Sequence, residues 1–340
     1  MKLIKILFLS ALMGLPLGLI AQGDIDRYLE AGTEDASKLL KEYLTPALNG
    51  FGYGINNGWY NTAKAHKTLG FDLTVTVSAV TVPSSKEFFT FRDSDYDNIK
   101  LADGETGRLP TLMGPNEEGP MLIILKEGEG PKEDREELAS FRSIQGLGLK
   151  DEIGINAVPA PMAQLGIGIA KNTDLKLRYI PRIDLGGDGD IGLFGIGVMH
   201  DVKQWIPGIK LLPFDLSALV GYTKLTANYD LEGNIAGENQ KGEFSATGVT
   251  FQGIISKQFS VLTLYGALGY NSTNTNAKIK GTYELEDYGT LEDPVDLSFG
   301  EGSMMLTAGF RLKLAILTLH ADYTLNKYPV ITAGIGFSVR

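Results

Sequence analysis

His320 and Asp322 stand two residues apart in Leu317–Leu325, a stretch in which apolar and polar side chains alternate. On an extended strand, residues i and i+2 share a face. An imidazole and a carboxylate placed this way are two parts of a proton relay, and with a serine hydroxyl they would serve ester or amide hydrolysis. The sequence supplies no Gly-x-Ser-x-Gly signature to complete it, and a solvated His beside a solvated Asp is the simpler reading. The other histidines, His66 and His200, lie far from His320 at no metal-ligand spacing. His200 and Asp201 are adjacent, so their side chains leave a strand on opposite faces. The acidic run from Asp184 through Asp188 to Asp190 lacks the twelve-residue spacing and terminal Glu of a calcium loop. No Gly-Lys-Ser/Thr follows to make it a phosphate loop. These observations give no expectation of a metal or cofactor.

A second set is basic: Lys176, Arg178, Arg182, Arg311 and Lys313. In their segments the charged residues alternate with Leu, Tyr or Phe, so they fall on the polar face of a strand. Such a row can set anion preference or orient a carboxylate in a pore, or pair with acids such as Asp174 and Asp322. Lys176, Arg178, Arg311, His320 and Asp322 are therefore the candidate ligand-binding residues of a lumen.

The elements that carry them repeat with period two. In Phe71–Ser78 the odd positions are apolar and the even ones polar. Leu165, Ile167 and Ile169, then Leu175, Leu177 and Tyr179, repeat the pattern, and Leu317–Asn326 and Ile331–Val339 show it most sharply. About ten strands emerge, at 71–83, 161–171, 173–182, 190–203, 214–231, 244–257, 261–281, 302–313, 316–326 and 330–340. Tight turns alternate with longer polar connections. Charges and amides at mid-strand would be costly in a dry core but are solvated by a wet lumen. Aromatic residues gather near strand ends, as in interfacial girdles. The reading is an all-β, transmembrane, antiparallel up-and-down β-barrel of about 10–12 strands with a short N-terminal helical segment. Its apolar side faces lipid, and the even strand count puts both chain ends on the periplasmic side.

The chain opens with Lys2 and Lys5, an apolar run over Ile6–Ile20 and a cleavage point near Ala21, which reads as a secretory signal peptide over 1–21. Residues 22–69 read as a helical plug or a periplasmic extension. Thr33 is the expected cap, and Leu39, Leu40, Tyr43 and Leu44 share a face. Pro46 and Gly50 are the expected stop, a Gly-aromatic loop covers Asn49–Gly54, and a second short helix covers Asn61–Lys67. The barrel occupies 70–340, with 84–160 an extracellular loop region. Residues 84–152 carry 16 acidic against 9 basic side chains, and so most of the formal charge of −10. Within them, Phe88–Phe91 and Met121–Leu125 are a candidate extra strand pair, and Pro131–Phe141 a short acidic helix.

The 340 residues include 42 glycines and no cysteine, so disulfide staples are excluded. The acidic balance argues against a nucleic-acid partner, which would require clustered Lys and Arg. Thr332, Gly334, Phe337 and Val339 in the last strand have the polar, Gly and hydrophobic spacing that is a membrane-insertion signal in outer-membrane barrels. The segments Pro161–Pro181, His200–Pro207 and Leu212–Ser217 resemble an uncharacterised outer-membrane protein family of Gram-negative bacteria. More distantly, the layout is similar to the long-chain fatty-acid channel family. The resemblance implies an outer-membrane barrel with lipid and the barrel-assembly machinery as partners, and a small hydrophobic solute as a candidate cargo. The function expected first is a passive channel or transporter for small or hydrophobic solutes. The alternatives are a structural or surface-interaction barrel with no open pore and, third, a lipid-acting barrel enzyme.

Overall fold

The computed structural model describes residues 28, 32–128, 130–184, 189–230, 236–285 and 289–339. The signal-peptide reading of 1–21, most of the Asp184–Asp190 run and Arg340 lie outside them.

Ten strands close into one antiparallel barrel. They are β1 (Phe71–Thr81), β7 (Ala157–Gly168), β8 (Thr173–Asp184), β9 (Gly189–Asp201), β10 (Asp215–Asp230), β11 (Lys241–Phe259), β12 (Leu262–Lys280), β15 (Val295–Leu314), β16 (Leu317–Leu325) and β17 (Val330–Val339). Each pairs with its neighbour along the chain, and β1 closes the ring between β17 and β7. The connections β7–β8, β9–β10, β11–β12 and β15–β16 lie at one end, the turn end, and the other five, among them the long 82–156, at the opposite loop end. Sequence periodicity located every barrel strand. The clearest shift is β15, which starts seven residues before the expected 302 because its polar outer part, Val295–Glu301, pairs with Thr273–Ile279 above the belt.

Alternation decides the faces. Phe71, Leu73, Val75 and Val77 point outward and are exposed, whereas Asp72, Thr74, Thr76 and Ser78 are buried inside. The last strands repeat this, with Ile331, Ile335, Phe337 and Val339 outside and Thr332 and Ser338 inside. The oily belt follows a strand for about 26 Å at roughly 3.3 Å per residue. Tyr179 opposite Phe194 and Phe251 opposite Tyr270 mark its loop-end border. A closed sheet that wears its apolar side chains outside is stable only in a hydrocarbon surround.

Several expectations about the N-terminal segment are corrected. Helix α1 (Thr33–Ile55) runs straight through Pro46 and Gly50, and starts after Gly32 with no side-chain cap. Glu34 and Asp35 complement its dipole, and its positions 36, 39, 40, 43, 44, 47, 48 and 51 bury one stripe. All of Pro46–Ile55 is enclosed, so packing outweighs the breaker residues. Asn61–Lys67 forms no helix and runs as irregular chain. The even strand count brings both ends of the barrel together, Phe71 beside Val339 at the turn end, but the N-terminal segment does not stay on that side: Thr33 lies at the loop end. The chain enters the barrel there and leaves at the turn end, where Leu69 N–H bonds Gly168 O at 2.9 Å.

Residues 82–156 are also corrected: they fold rather than loop. Strands β2 (Phe88–Thr90) and β4 (Arg108–Pro110) pair, and β3 (Ile99–Leu101), β5 (Met121–Leu125) and β6 (Glu137–Arg142) form a second small sheet. None joins the barrel. Phe88–Phe91 and Met121–Leu125 thus do contain strands, but paired with other partners, and the acidic helix expected over Pro131–Phe141 is a 3-10 turn at Lys132–Asp134 followed by β6. A five-residue helix α2 (Leu149–Ile153) leads back to β7. β13 (Thr282–Leu285) and β14 (Gly289–Glu292) form a hairpin between β12 and β15.

The plugged lumen as candidate functional site

The outer half of α1 is the core of the small loop-end domain. Leu39, Leu40, Tyr43 and Leu44 pack with Phe89, Tyr96, Ile99 and Leu109. The buried Asp35 carboxylate accepts the backbone N–H groups of Asp97 (2.9 and 3.0 Å) and Asn98 (2.6 Å). Lys38 bridges Glu34 and Asp97. Burial disfavours its charge, but those hydrogen bonds outweigh burial and hold its pKa above the ordinary lysine value. Lys132 is pushed below its ordinary value by burial; its ammonium donates to the carbonyls of Asp93 and Ile99.

The inner half of α1 enters the barrel mouth. A side chain at Gly54 would place its Cβ 2.6 Å from that of Ala160, so only glycine permits this approach. Below the helix, the chain is stitched to the wall at each level. The Arg178 guanidinium, fully buried, donates from Nη1 to Ile55 O at 2.7 Å, from Nη2 to Asn57 O at 2.6 Å and from Nε to Gln164 Oε1 at 3.1 Å. Gln164 Nε2 donates to Trp59 O at 3.1 Å. The guanidinium also lies 3.6 Å above the Trp59 ring. That ring fills a recess made by two inward-facing glycines: a Cβ at Gly197 or Gly221 would come within 2.8 or 2.6 Å of it. Tyr60 donates to Gln252 Oε1 at 2.7 Å and meets Tyr265 edge-on. Ser256 accepts Ala63 N–H at 2.9 Å, and Ser217 donates to Ala63 O.

At the turn end, His66 closes the series. Its Nδ1 lies 2.9 Å from Asp174 Oδ2, its backbone N–H donates to Asp174 Oδ1 at 2.8 Å, and its Nε2 lies 3.4 Å from Asp72. Lys176 Nζ stands 3.9 Å from the same Asp174.

The five lumen candidates, Lys176, Arg178, Arg311, His320 and Asp322, all face inward and are all buried. They were expected to be solvated and are instead buried; the partners of Arg178 are Ile55 O, Asn57 O and the Trp59 ring of the N-terminal segment and Gln164 of the wall. The structure brings Lys176 and Arg178 to the plug. It does not bring His320 and Asp322 together, because both His320 ring nitrogens lack a hydrogen-bond partner while Asp322 accepts from Tyr265 at 2.8 Å. Among the described residues no group of His, Cys, Asp or Glu is arranged to hold a metal. Asp174 was expected as a partner acid and does stand beside Lys176, and His66 was read only as lying at no metal-ligand spacing; sequence reasoning gave no role to Trp59, Asp72 or Gln164. A signal existed for the recess, namely glycine on the inward face at 197 and 221, where a lumen lined by side chains would carry residues with a Cβ.

A closed ten-stranded antiparallel barrel with an outer apolar belt defines the class, a transmembrane β-barrel protein. The particular group follows from the sequence: the chain belongs to the family of unknown function DUF6588, whose model matches residues 1–339. No curated protein matches the chain. Among solved structures it is similar to the translocator domain of autotransporter NalP from Neisseria meningitidis, at 11% identity over 81% of this chain and 90% of that one, TM-score 0.32. It is also similar to the outer membrane protease OmpT from Escherichia coli, at 6% over 79% and 96%, TM-score 0.31, and to the Pseudomonas putida toluene transporter TodX, at 8% over 82% and 95%, TM-score 0.25. At these scores no residue role or activity passes from them to this chain.

Proposed function

We propose that this protein is an exported outer-membrane barrel that holds its own lumen shut and acts through the acidic domain displayed at its loop end. The signal peptide over 1–21 directs export, and Thr332, Gly334, Phe337 and Val339 on the closing strand β17 present the insertion signal to the assembly machinery. The loop end faces outward and the turn end the periplasm, as short turns and long loops are disposed in such barrels. The carrying observation is the Arg178 clamp on Ile55 O, Asn57 O and the Trp59 ring. A fork of donors spent on the plug's own backbone marks a resident of the lumen, and a barrel of this size has little interior to spare.

The chain has no cysteine, so single cysteines report cleanly. A membrane-impermeant maleimide added to intact cells should label Ser140→Cys on β6, and should label Gln258→Cys at the turn end only after permeabilisation. The reverse pattern would refute the orientation. In planar bilayers the wild-type chain should show no steady conductance; a persistent open pore would refute the plugged resting state.

A second reading, a channel for small or hydrophobic solutes, is favoured by one feature. The stretch 56–69 belongs to no helix or sheet, so its withdrawal would break no strand pairing. Conductance steps confined to variants of the Arg178 clamp support that reading. Catalysis by His320 and Asp322 is not proposed, since no hydrogen bond links them.

A further inference from the structure

The connection from β9 to β10, residues 202–214, is far longer than the two residues that suffice to join antiparallel strands, and it carries Trp205, Ile206, Leu211 and Leu212 into the open. Trp205 is 64% exposed and Leu211 95% exposed, although side chains of these types ordinarily sit inside. The segment is nonetheless built. A 3-10 turn at Lys203–Trp205 opens it, and Asp201 Oδ1 accepts Lys203 N–H at 2.9 Å. Lys203 folds beneath Phe214, its ammonium 5.1 Å from the ring and donating to the carbonyls of Leu212 and Phe214. Gln204 donates to Lys171 O at 3.0 Å and to Asp201 O at 2.8 Å.

Its direction is fixed by His200. On β9, Phe194, Ile196 and Val198 are the exposed, outward set, and His200 follows them by the same alternation. Trp205 Nε1 donates to His200 Nε2 at 2.7 Å, and the two rings stack with centroids 6.2 Å apart. The indole therefore lies against the outer wall of the barrel, at the lower border of the apolar belt, rather than beneath the lumen. Lys171, whose carbonyl accepts from Gln204, and Lys210 of the same connection are both exposed.

We infer that residues 203–214 form an interfacial anchor whose occupant is the phospholipid of the bilayer leaflet at the turn end. Indole and leucine side chains enter the headgroup and upper acyl region, and the two lysines meet the phosphates. The apolar belt leads directly into this patch, and amphipathic aromatic and basic groups at this level are the composition that membrane interfaces select. The inference rests on the barrel spanning a bilayer.

Tryptophan fluorescence tests it, because the chain has two tryptophans, Trp59 and Trp205. The full chain is reconstituted in phospholipid vesicles brominated near the headgroup end or near the tail end of the acyl chains. The Trp205 signal is the difference between wild type and Trp205→Phe. It should lose about half its intensity or more with headgroup-end bromine, less with tail-end bromine, while Trp59 in the lumen is spared. Trp205 quenched freely by aqueous iodide and untouched by bromine would overturn the anchor. Protection from both quenchers would also overturn it, since a second copy would then cover the patch. Phe251→Trp in the Trp205→Phe background reports the belt itself. If that site escapes bromine, the barrel is not in the bilayer and the proposed function fails; if it is quenched while Trp205 is not, the anchor alone fails.

Discussion

Arg178→Met should unfasten the plug. The side chain makes three short charge-assisted hydrogen bonds, to Ile55 O, Asn57 O and Gln164 Oε1, and stacks on Trp59. Hydrogen bonds from a charged donor contribute about 1.5–3 kcal/mol each, and a desolvated cation–π contact about 2 kcal/mol. Against that sum stands the several kcal/mol needed to bring a guanidinium out of water. Methionine keeps much of the volume but leaves two plug carbonyls unsatisfied in the lumen. The net loss should be about 3–5 kcal/mol, the range for breaking a buried charged contact from one side. At 1.4 kcal/mol per tenfold, local opening of 55–60 should rise by roughly 10² to 4 × 10³-fold. Amide hydrogen exchange of this segment, in lipid nanodiscs, reads that opening directly. Arg178→Lys should recover little of it, because an ammonium cannot bridge two carbonyls and stack on an indole at once. Unchanged exchange in Arg178→Met, with a barrel intact by heat-modifiable mobility, would refute the clamp.

Further outcomes follow from other contacts. Gly221→Ala places a Cβ 2.6 Å from the Trp59 ring, an overpacking that should cost about 1–3 kcal/mol. Gly253→Ala, whose nearest neighbour would be 3.9 Å away, should be close to neutral, and comparing the thermal midpoints of the two separates socket from strand effects. Asp35→Ala removes the acceptor shared by Asp97 and Asn98. It should destabilise the loop-end domain by about 2–3 kcal/mol, seen as faster proteolysis at 93–100 with the barrel's melting unchanged.

The barrel was legible because lipid outside and polar contacts inside enforce a strict period of two, and that period survives in the sequence whatever fills the lumen. Alternation divided Phe71–Ser78 and Leu317–Asn326 into two faces, and the charges at mid-strand with the aromatics near strand ends said which face looked outward. The helix end was not legible. Pro46 and Gly50 are local stop signals, and the enclosure that overrides them is made by Val82, Val158 and Phe244, far along the chain. The small domain was hidden for a similar reason. Its strands are three to six residues long, too short for a period to emerge, and Ile99–Leu101 and Met121–Leu125 are joined by pairing that no spacing announces.

The candidate site divides along the same line. Charge type and face were readable, so Lys176, Arg178, Arg311, His320 and Asp322 could be assigned to the interior; their state could not, because alternation is identical for a wet lumen and a filled one. What separates the two is what the opposing inward positions carry. A water-lined wall has no reason to give up side chains at Gly197 and Gly221, since each strand glycine costs backbone entropy and packing. A wall that receives an indole does, because a Cβ there would overlap Trp59. Buried charge argues the same way. Arg178 is accommodated inside the barrel because the last carbonyl of α1, at Ile55, and that of Asn57 in the irregular chain beyond it are brought to the guanidinium. The unpaired carbonyls of 55–57 and the buried charge of Arg178 are each unfavourable alone, and each satisfies the other.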